Sequence, residues 1–214
     1  RDYGKVTFAL KSGSTGHFSS DADGNNRTSH VSEAQHVAYD VVARSSDPTN
    51  HPLSNYTFGS AAEEAAGTLR NLETVTDANP SHVTAQGRIT PRAIRATTHA
   101  VEKVYDGMAE HTDGSRNIKR GSDIVSLATM ITDETDGLPT NTSTARYADK
   151  NVSRDGSGNI INKDVTYTAQ LTGQYADDYK IVDAGNTVIS TVSGTGANKT
   201  LTANAGTVTN AGKI

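Results

Sequence analysis

The chain is 214 residues long, carries a formal net charge of −4 and contains neither Cys nor Trp. Without Cys there is no thiolate metal site, thiol nucleophile or disulfide, and a mildly acidic chain lacks the clustered basic surface that a phosphate backbone requires. Only 34% of its residues are apolar, which is lean for one large core but suits thin β units whose strands turn one face inward.

Low net charge and recurrent Val, Ile and Thr argue against wholesale disorder. No run approaches membrane-spanning length. Nothing at the start resembles a signal peptide, and Arg1 opens in what reads as the middle of an element, so the chain reads as an excised fragment.

In chain order, Phe18–Asp21 leads into a turn at Asp21–Asn26, and Val37–Ala43 alternates apolar and polar residues as a half-buried strand does. A polar turn at Ser46–Asn50 precedes a short strand at Asn55–Phe58. Ser60–Gly67 offers a cap, helix formers, early acidic residues and a stopping Gly, which predicts one or two helical turns. Val83–Thr90 is the next strand, and a boundary falls near Pro91 or Arg92, where Ile94–Thr97 begins a new extended run. Beyond it come Tyr105-Asp106-Gly107, a turn at Asp136–Pro139, Tyr147–Lys150, a turn at Arg154–Asn159, and strands at Val165–Leu171, Asp178–Val182 and Leu201–Thr209.

These segments form a degenerate repeat. Val37–Ala43 lies over Val165–Leu171, Asn55–Phe58 over Asp178–Val182, Val83–Thr90 over Leu201–Thr209, and more weakly Phe18–Asp21 over Tyr147–Lys150. The expectation is an all-β chain of two tandem β-sandwich or β-grasp-like units, immunoglobulin-like in general character. Residues 1–92 are the first unit, lacking its opening strand, and residues 93–214 the second, complete one.

At the boundary, Gly87-Arg88-Ile89-Thr90-Pro91-Arg92 followed by Lys103-Val104-Tyr105-Asp106-Gly107 resembles the junction and opening of YDG-type repeat domains. Those repeats occur in large secreted bacterial adhesins of the filamentous haemagglutinin kind. Tyr147–Val152 is similar to the family's midpoint motif, and Val165-Thr166-Tyr167, Leu171-Thr172-Gly173 and Asp178-Tyr179 to its closing strands. The first copy departs from the pattern in having no Tyr-Asp-Gly, and Asn210 stands where the earlier junction has Pro91. The resemblance makes Tyr39, Tyr56, Tyr105, Gly107, Tyr147, Tyr167 and Tyr179 the repeat-defining residues. It implies tandem β repeats in an extracellular, secreted or surface-attached protein of cell adhesion or biofilm, and it implies no catalytic residues.

Signals for chemistry are sparse. Tyr105 and Asp106, with Tyr175, are the candidate ligand-binding residues, because an exposed aromatic beside a carboxylate suits a sugar. The competing and favoured reading packs Tyr105 inward and uses Asp-Gly as a turn. Most other tyrosines fall at core-facing positions of the alternation, and the seven histidines read as surface residues without a metal-ligand spacing. Asp21-x-Asp23-Gly24-Asn25 fails the EF-hand arithmetic, since Gly24 is at the fourth position and Ser32 at the twelfth. A looser calcium site of oxygen ligands stays open, at Asp21, Asp23 and Asn25 or around Asp133, Glu134 and Asp136. No other cofactor is expected.

There is no Gly-x-Ser-x-Gly elbow, and the Glu63-Glu64 and Asp177-Asp178 pairs fall on a loop and after a turn. Five Asn-x-Ser/Thr acceptors occur, at Asn26, Asn55, Asn141, Asn151 and Asn198.

The expected function is therefore a structural stalk or spacer of an adhesin, not an enzyme, with neighbouring repeats as partners. The alternative is a module that itself binds a host or matrix glycan or protein. Neither nucleic acid binding nor membrane insertion is expected.

Overall fold

The computed structural model describes residues 4–59, 61–131 and 137–214, with the side chains of 61 and 62 left aside. The chain divides into two units, Arg1–Ile89 and Thr90–Ile214. Both are built almost entirely of short strands in small sheets, so the all-β reading holds.

In the first unit a ten-residue strand does most of the organising. The elements before it are β1 (Val6–Leu10) and β2 (His17–Ser19), and the strand itself is β3 (His36–Ser45). β1 runs antiparallel to its later half, with Phe8 opposite Ala43 and Leu10 opposite Val41, and β2 to its earlier half, with Phe18 opposite Val37. An excursion then carries a 3₁₀ turn at Leu53–Asn55, β4 (Thr57–Phe58), α1 (Ala61–Ala66), β5 (Arg70–Asn71) and a second 3₁₀ turn at Leu72–Thr74. The predicted helical turn is α1, although its proposed cap, Ser60, lies outside the described residues. The Asn71 side chain caps the second 3₁₀ turn by accepting from the Glu73 N–H. β6 (Ser81–Gln86) then pairs along the other edge of β3.

The excursion folds over the β1 end of the sheet. There Ala43, Leu72 and Val75 are buried with Val6, Leu53, Tyr56 and Phe58 packed round them, and the Phe8 and Phe58 rings meet at 4.7 Å. Val41 and Ser81 on the same face are also buried, whereas three larger side chains there are partly open to solvent. Leu10 is 60% exposed, Val83 45% and Tyr39 42%. The expectation that Tyr39 points into a core is thus corrected: its side chain projects from the same face as the buried Val41 and packs against Gly16, but a large part of the ring stays exposed.

The second unit contains β7 (Arg92–Thr98), β8 (Val101–Glu102), β9 (Val125–Ala128), β10 (Thr140–Asn141), β11 (Thr144–Tyr147) and β12 (Lys163–Thr172). After a 3₁₀ turn at Ala176–Asp178 follow β13 (Tyr179–Val182), β14 (Ser190–Ser193) and β15 (Thr200–Lys213). β12 is the central strand here: β10 and β11 line one edge and β15 the other, with β14 and the short parallel β8 on β15. A second sheet has β7 in its middle, parallel to β13 and antiparallel to β9.

Alternation along β12 is strict, with Lys163, Val165, Tyr167, Ala169 and Leu171 all buried. They meet Leu201 and Ala203 of β15 and, from the smaller sheet, Ile94, Tyr179 and Ile181 in one core. Full burial of each large apolar side chain contributes about 1.5–3 kcal/mol, so this core outweighs the first unit's small cluster. Packing is close at the end of β15, where a Cβ on Gly212 would run into Val165 and the Tyr147 ring.

The two central strands share their surroundings. Each has two short strands on one edge and one later strand on the other, and Phe18 opposite Val37 answers to Tyr147 opposite Val165. The later strands differ in register, since Val37 faces Ala85 whereas Val165 faces Val208 across a strand pair with two irregularities. In both units a 3₁₀ turn ends on an extended Tyr, Tyr56 or Tyr179, whose N–H donates to the first carbonyl of the turn before a short strand begins.

Candidate functional site

Lys103 decides the geometry of the Tyr-Asp-Gly segment. The strand run ends at Glu102, the Lys103 N–H donates to the Lys213 carbonyl, and the side chain turns into the unit with its ammonium fully covered. A buried ammonium must use its donors, because an unpaired buried charge is far costlier than a paired one. Lys103 Nζ donates to Asp106 Oδ1 at 2.7 Å, the Met108 carbonyl at 2.6 Å and the Glu110 carbonyl at 2.9 Å, which uses all three protons. It also stands 5.6 Å from the centre of the buried Tyr147 ring, within cation–π range.

Asp106 is equally committed. Its Oδ1 also accepts from the Met108 N–H at 3.0 Å, and its Oδ2 from the Thr112 hydroxyl at 2.5 Å. The Lys103 bond, then those of Thr112 and Met108, hold its carboxyl well below the usual carboxylate range. Gly107 supplies the positive φ of +79° that lets the chain reverse round this pair.

Tyr105 points the other way and is 54% exposed, beside Val104 at 75%. The inward-packing reading of Tyr105 is therefore corrected. The turn is anchored by its lysine and aspartate, and the tyrosine is left on the surface. Tyr105 and Asp106 are neighbours in sequence with opposite fates. Tyr175 belongs to another turn, half-buried at the start of Ala176–Asp178, where its hydroxyl accepts from Gln174.

Next to the Lys103 pair, His111 and Thr112 are buried, and His111 Nδ1 lies 3.3 Å from the Tyr147 hydroxyl. Burial, then the charges of Lys119 and Lys103, push the His111 pKa down, and burial pushes Tyr147 up. The surface assignment of histidine fails here and at His30, which is also buried. Tyr167 is buried beneath the smaller sheet's chain and donates to the His99 carbonyl at 2.6 Å.

Several aspartates that sequence offered or passed over build loops. Asp113 and Asp155 begin the sequences Asp-Gly-Ser-Arg-Asn and Asp-Gly-Ser-Gly-Asn. In each, Oδ1 accepts from the backbone N–H groups two and four residues on, while the Asn side chain donates to Oδ2. Asp183 repeats the backbone part of this pattern at Gly185 and Thr187. These are Asx-type turns that close hairpin tips.

The calcium candidates meet the same use. Asp21 Oδ1 accepts from the Ser19 hydroxyl at 2.7 Å, the Asn25 N–H at 2.9 Å and the Asn26 N–H at 3.3 Å, and the Ser19 bond leads in lowering its pKa. The Asp23 carbonyl accepts from His82. Asp133, Glu134 and Asp136 lie outside the described residues. Among the described residues no three His, Asp or Glu side chains converge as metal ligands, and no helix is long and apolar enough to cross a membrane.

A groove of about 400 Å³ runs along the outer edge of β6, lined by residues that include Asp23, Asn25, Phe58, Arg70 and His82. Sequence reasoning gave no sign of it, because these residues come from four separate segments. Lys103 was more accessible to such reasoning: Val101 and Lys103 share a strand face by period two, and Asp106-Gly107 follows at turn spacing. No protein-family model, curated protein or solved structure gives a significant match to this chain.

Proposed function

We propose that the chain is a pair of YDG-like β repeats forming a structural stalk or spacer of a secreted or surface-attached bacterial adhesin. The finer architecture belongs to the same reading: two tandem sandwich or β-grasp-like units, immunoglobulin-like in character. The observation that carries it is the recurrence of one arrangement in both units. A ten-residue strand is flanked by two short strands on one edge, and a 3₁₀–Tyr–strand element follows. Recurrence of this kind is the mark of repeat architecture, in which length is gained unit by unit.

The polar chemistry also supports a structural role. The ammonium of Lys103 and both oxygens of Asp106 are spent on backbone and side-chain partners inside the fold. The second unit further has β8, near its beginning, parallel to the end of β15, with Val101 opposite Gly212 and Glu102 opposite Lys213. Tension applied at the two ends of that unit enters through β7, whose parallel pairing with β13 it meets first, and through β15 on the other side, so it loads parallel pairs whose hydrogen bonds yield together rather than one at a time.

A second reading, a module that binds a glycan or protein itself, is favoured by the exposed Val104-Tyr105 tip and the groove along β6. A screen of the full chain against glycan arrays and immobilised matrix proteins separates the two. The spacer reading expects no saturable binding, and saturable binding lost in Tyr105→Ala or Arg70→Ala would replace it with the second.

A further inference from the structure

The outer edge of β6 is unlike its counterpart in the second unit. β6 and β15 both run antiparallel along the edge of the central strand opposite the two short strands, but β15 carries β14 on its other side, Thr191 opposite Thr202 and Val192 opposite Leu201. In the first unit the chain before β6 turns into α1, β5 and a 3₁₀ turn instead, and among the described residues β6 pairs only with β3.

The register says which backbone groups this leaves over. The Gly87 N–H donates to the Gln35 carbonyl, so these two residues form a hydrogen-bonded pair, and by alternation so do Val37 with Ala85, Tyr39 with Val83 and Val41 with Ser81. His82 and Thr84 therefore turn their N–H and C=O groups away from β3, and among the described residues nothing bonds to them. The strand, Ser-His-Val-Thr-Ala-Gln, holds no Pro and no Lys of the kind that blunts an open edge.

The groove of about 400 Å³ lies over this edge and is of ligand size. Phe58, Glu63 and Arg70 of the excursion line one side, and Asp23 and Asn25 of the turn the other. Both walls are tied to the strand or its start. The Thr84 hydroxyl donates to the Ala22 carbonyl at 2.7 Å, His82 Nδ1 lies 3.2 Å from the Asp23 carbonyl, and Arg70 donates to the Asn79 and Pro80 carbonyls. The Asp23 carboxylate has no hydrogen bond or ion pair among the described residues, and two carboxylates against one guanidinium leave the lining short of positive charge.

We infer that this groove is a docking site for a single extended peptide segment, which adds antiparallel to β6 and pairs with the outward groups of His82 and Thr84. Donors and acceptors that recur at every second residue match a polypeptide backbone, so the occupant is a peptide and the mode is β-augmentation. Its side chains alternate, β-branched apolar residues lying beside Phe58 and Val83, and small polar or basic ones beside Thr84 and Asp23. β14, with the sequence Ser-Thr-Val-Ser, shows the kind of segment that fills the matching edge in the second unit. The inference rests on the geometry of β6 and not on the spacer role.

The test is residue-resolved amide exchange of the full chain with the end-blocked peptide Val-Thr-Val-Lys-Val at about 1 mM. Exchange at His82 and Thr84 should slow roughly tenfold, the protection given by a Kd of about 0.1 mM. Val83 and Ala85, whose amides already face β3, should change little. The fully N-methylated peptide should protect neither site. Replacing the peptide's Lys by Glu should weaken protection roughly threefold, and Asp23→Lys, which leaves the Asp23 carbonyl contact in place, should reverse that preference. No protection at His82 and Thr84, equal protection at Val83, or protection by the N-methylated peptide overturns the docking site. A charge preference unchanged in Asp23→Lys overturns the placement of the basic side chain. Protection of the same two amides that rises with the chain's own concentration, without peptide, assigns the edge to a second copy and overturns the peptide site. Binding found in the ligand screen would overturn the spacer role and leave this result unaffected.

Discussion

Truncating the two matched tyrosines should have unequal consequences. Tyr167→Ala removes a ring with no exposed surface from the core it shares with Val165, Ile94 and Ile181, and deletes the hydroxyl that satisfies the His99 carbonyl. Buried aromatic-to-alanine changes cost about 3–5 kcal/mol. For the 125 residues of Thr90–Ile214, an unfolding entropy of roughly 2.1 cal/mol/K per residue converts that to a fall in midpoint of about 10–20 °C. Tyr39→Ala removes a ring already 42% exposed and packed mainly against Gly16, and only the covered part counts, about 1 kcal/mol. Denaturant titration read by hydrogen exchange on peptides from each unit would report the two stabilities in the same sample. A loss in the first unit from Tyr39→Ala as large as that in the second from Tyr167→Ala would refute the reasoning that the two rings differ in burial.

Other outcomes follow from the Lys103 centre and the strand ends. Lys103→Met keeps the stem but strands Asp106 and two carbonyls, so the second unit's thermal midpoint should drop by roughly 10 °C or more, and an unchanged midpoint in calorimetry would contradict the buried pair. Because the Asp106 pKa is lowered on folding, its contribution is complete above the unfolded value of 3.8 and is lost as pH falls through the folded one. Asp106→Asn should therefore narrow the stability difference between pH 6 and strong acid, as measured by urea unfolding. The His111 pKa is also lowered from 6.5, so stability is retained above that value and declines as pH drops below it; His111→Gln should flatten this limb. Gly212→Ala should cost about 1–3 kcal/mol by overpacking against Tyr147 and Val165, and a variant as stable as the parent in the same titration would show that the strand end can shift.

Period-two alternation made Val165–Leu171 readable as a half-buried strand because every inward residue there meets a core. The same alternation over Val37–Ala43 gave the strand correctly but not the burial of Tyr39. Alternation states which residues share a face, while burial depends on what a distant segment lays over that face, and no local signal carries that. The Arg154–Asn159 loop was legible as a turn, since an Asx carboxylate bonds to its own backbone, whereas the Asp113–Asn117 loop of the same pattern was passed over. Tyr105 was misplaced because continuing the strand period past Glu102 puts Val101, Lys103 and Tyr105 on one side, whereas the chain leaves the strand and the buried ammonium sets the turn. His111 was missed for a related reason: its polarity suggests surface, but Tyr147 and the Lys103 network enclose it.

Single-molecule pulling of the full chain from its two ends tests the spacer role most directly. Residues 90–214 should unfold in one event releasing roughly 400 Å of chain, at a force well above that needed when the same unit is held at the Ser157 hairpin tip and at its C-terminal end, which unzips antiparallel β12 and β15 instead of shearing the parallel pairs. Equal forces in the two geometries, or gradual extension without a distinct event, would contradict a segment built to carry tension.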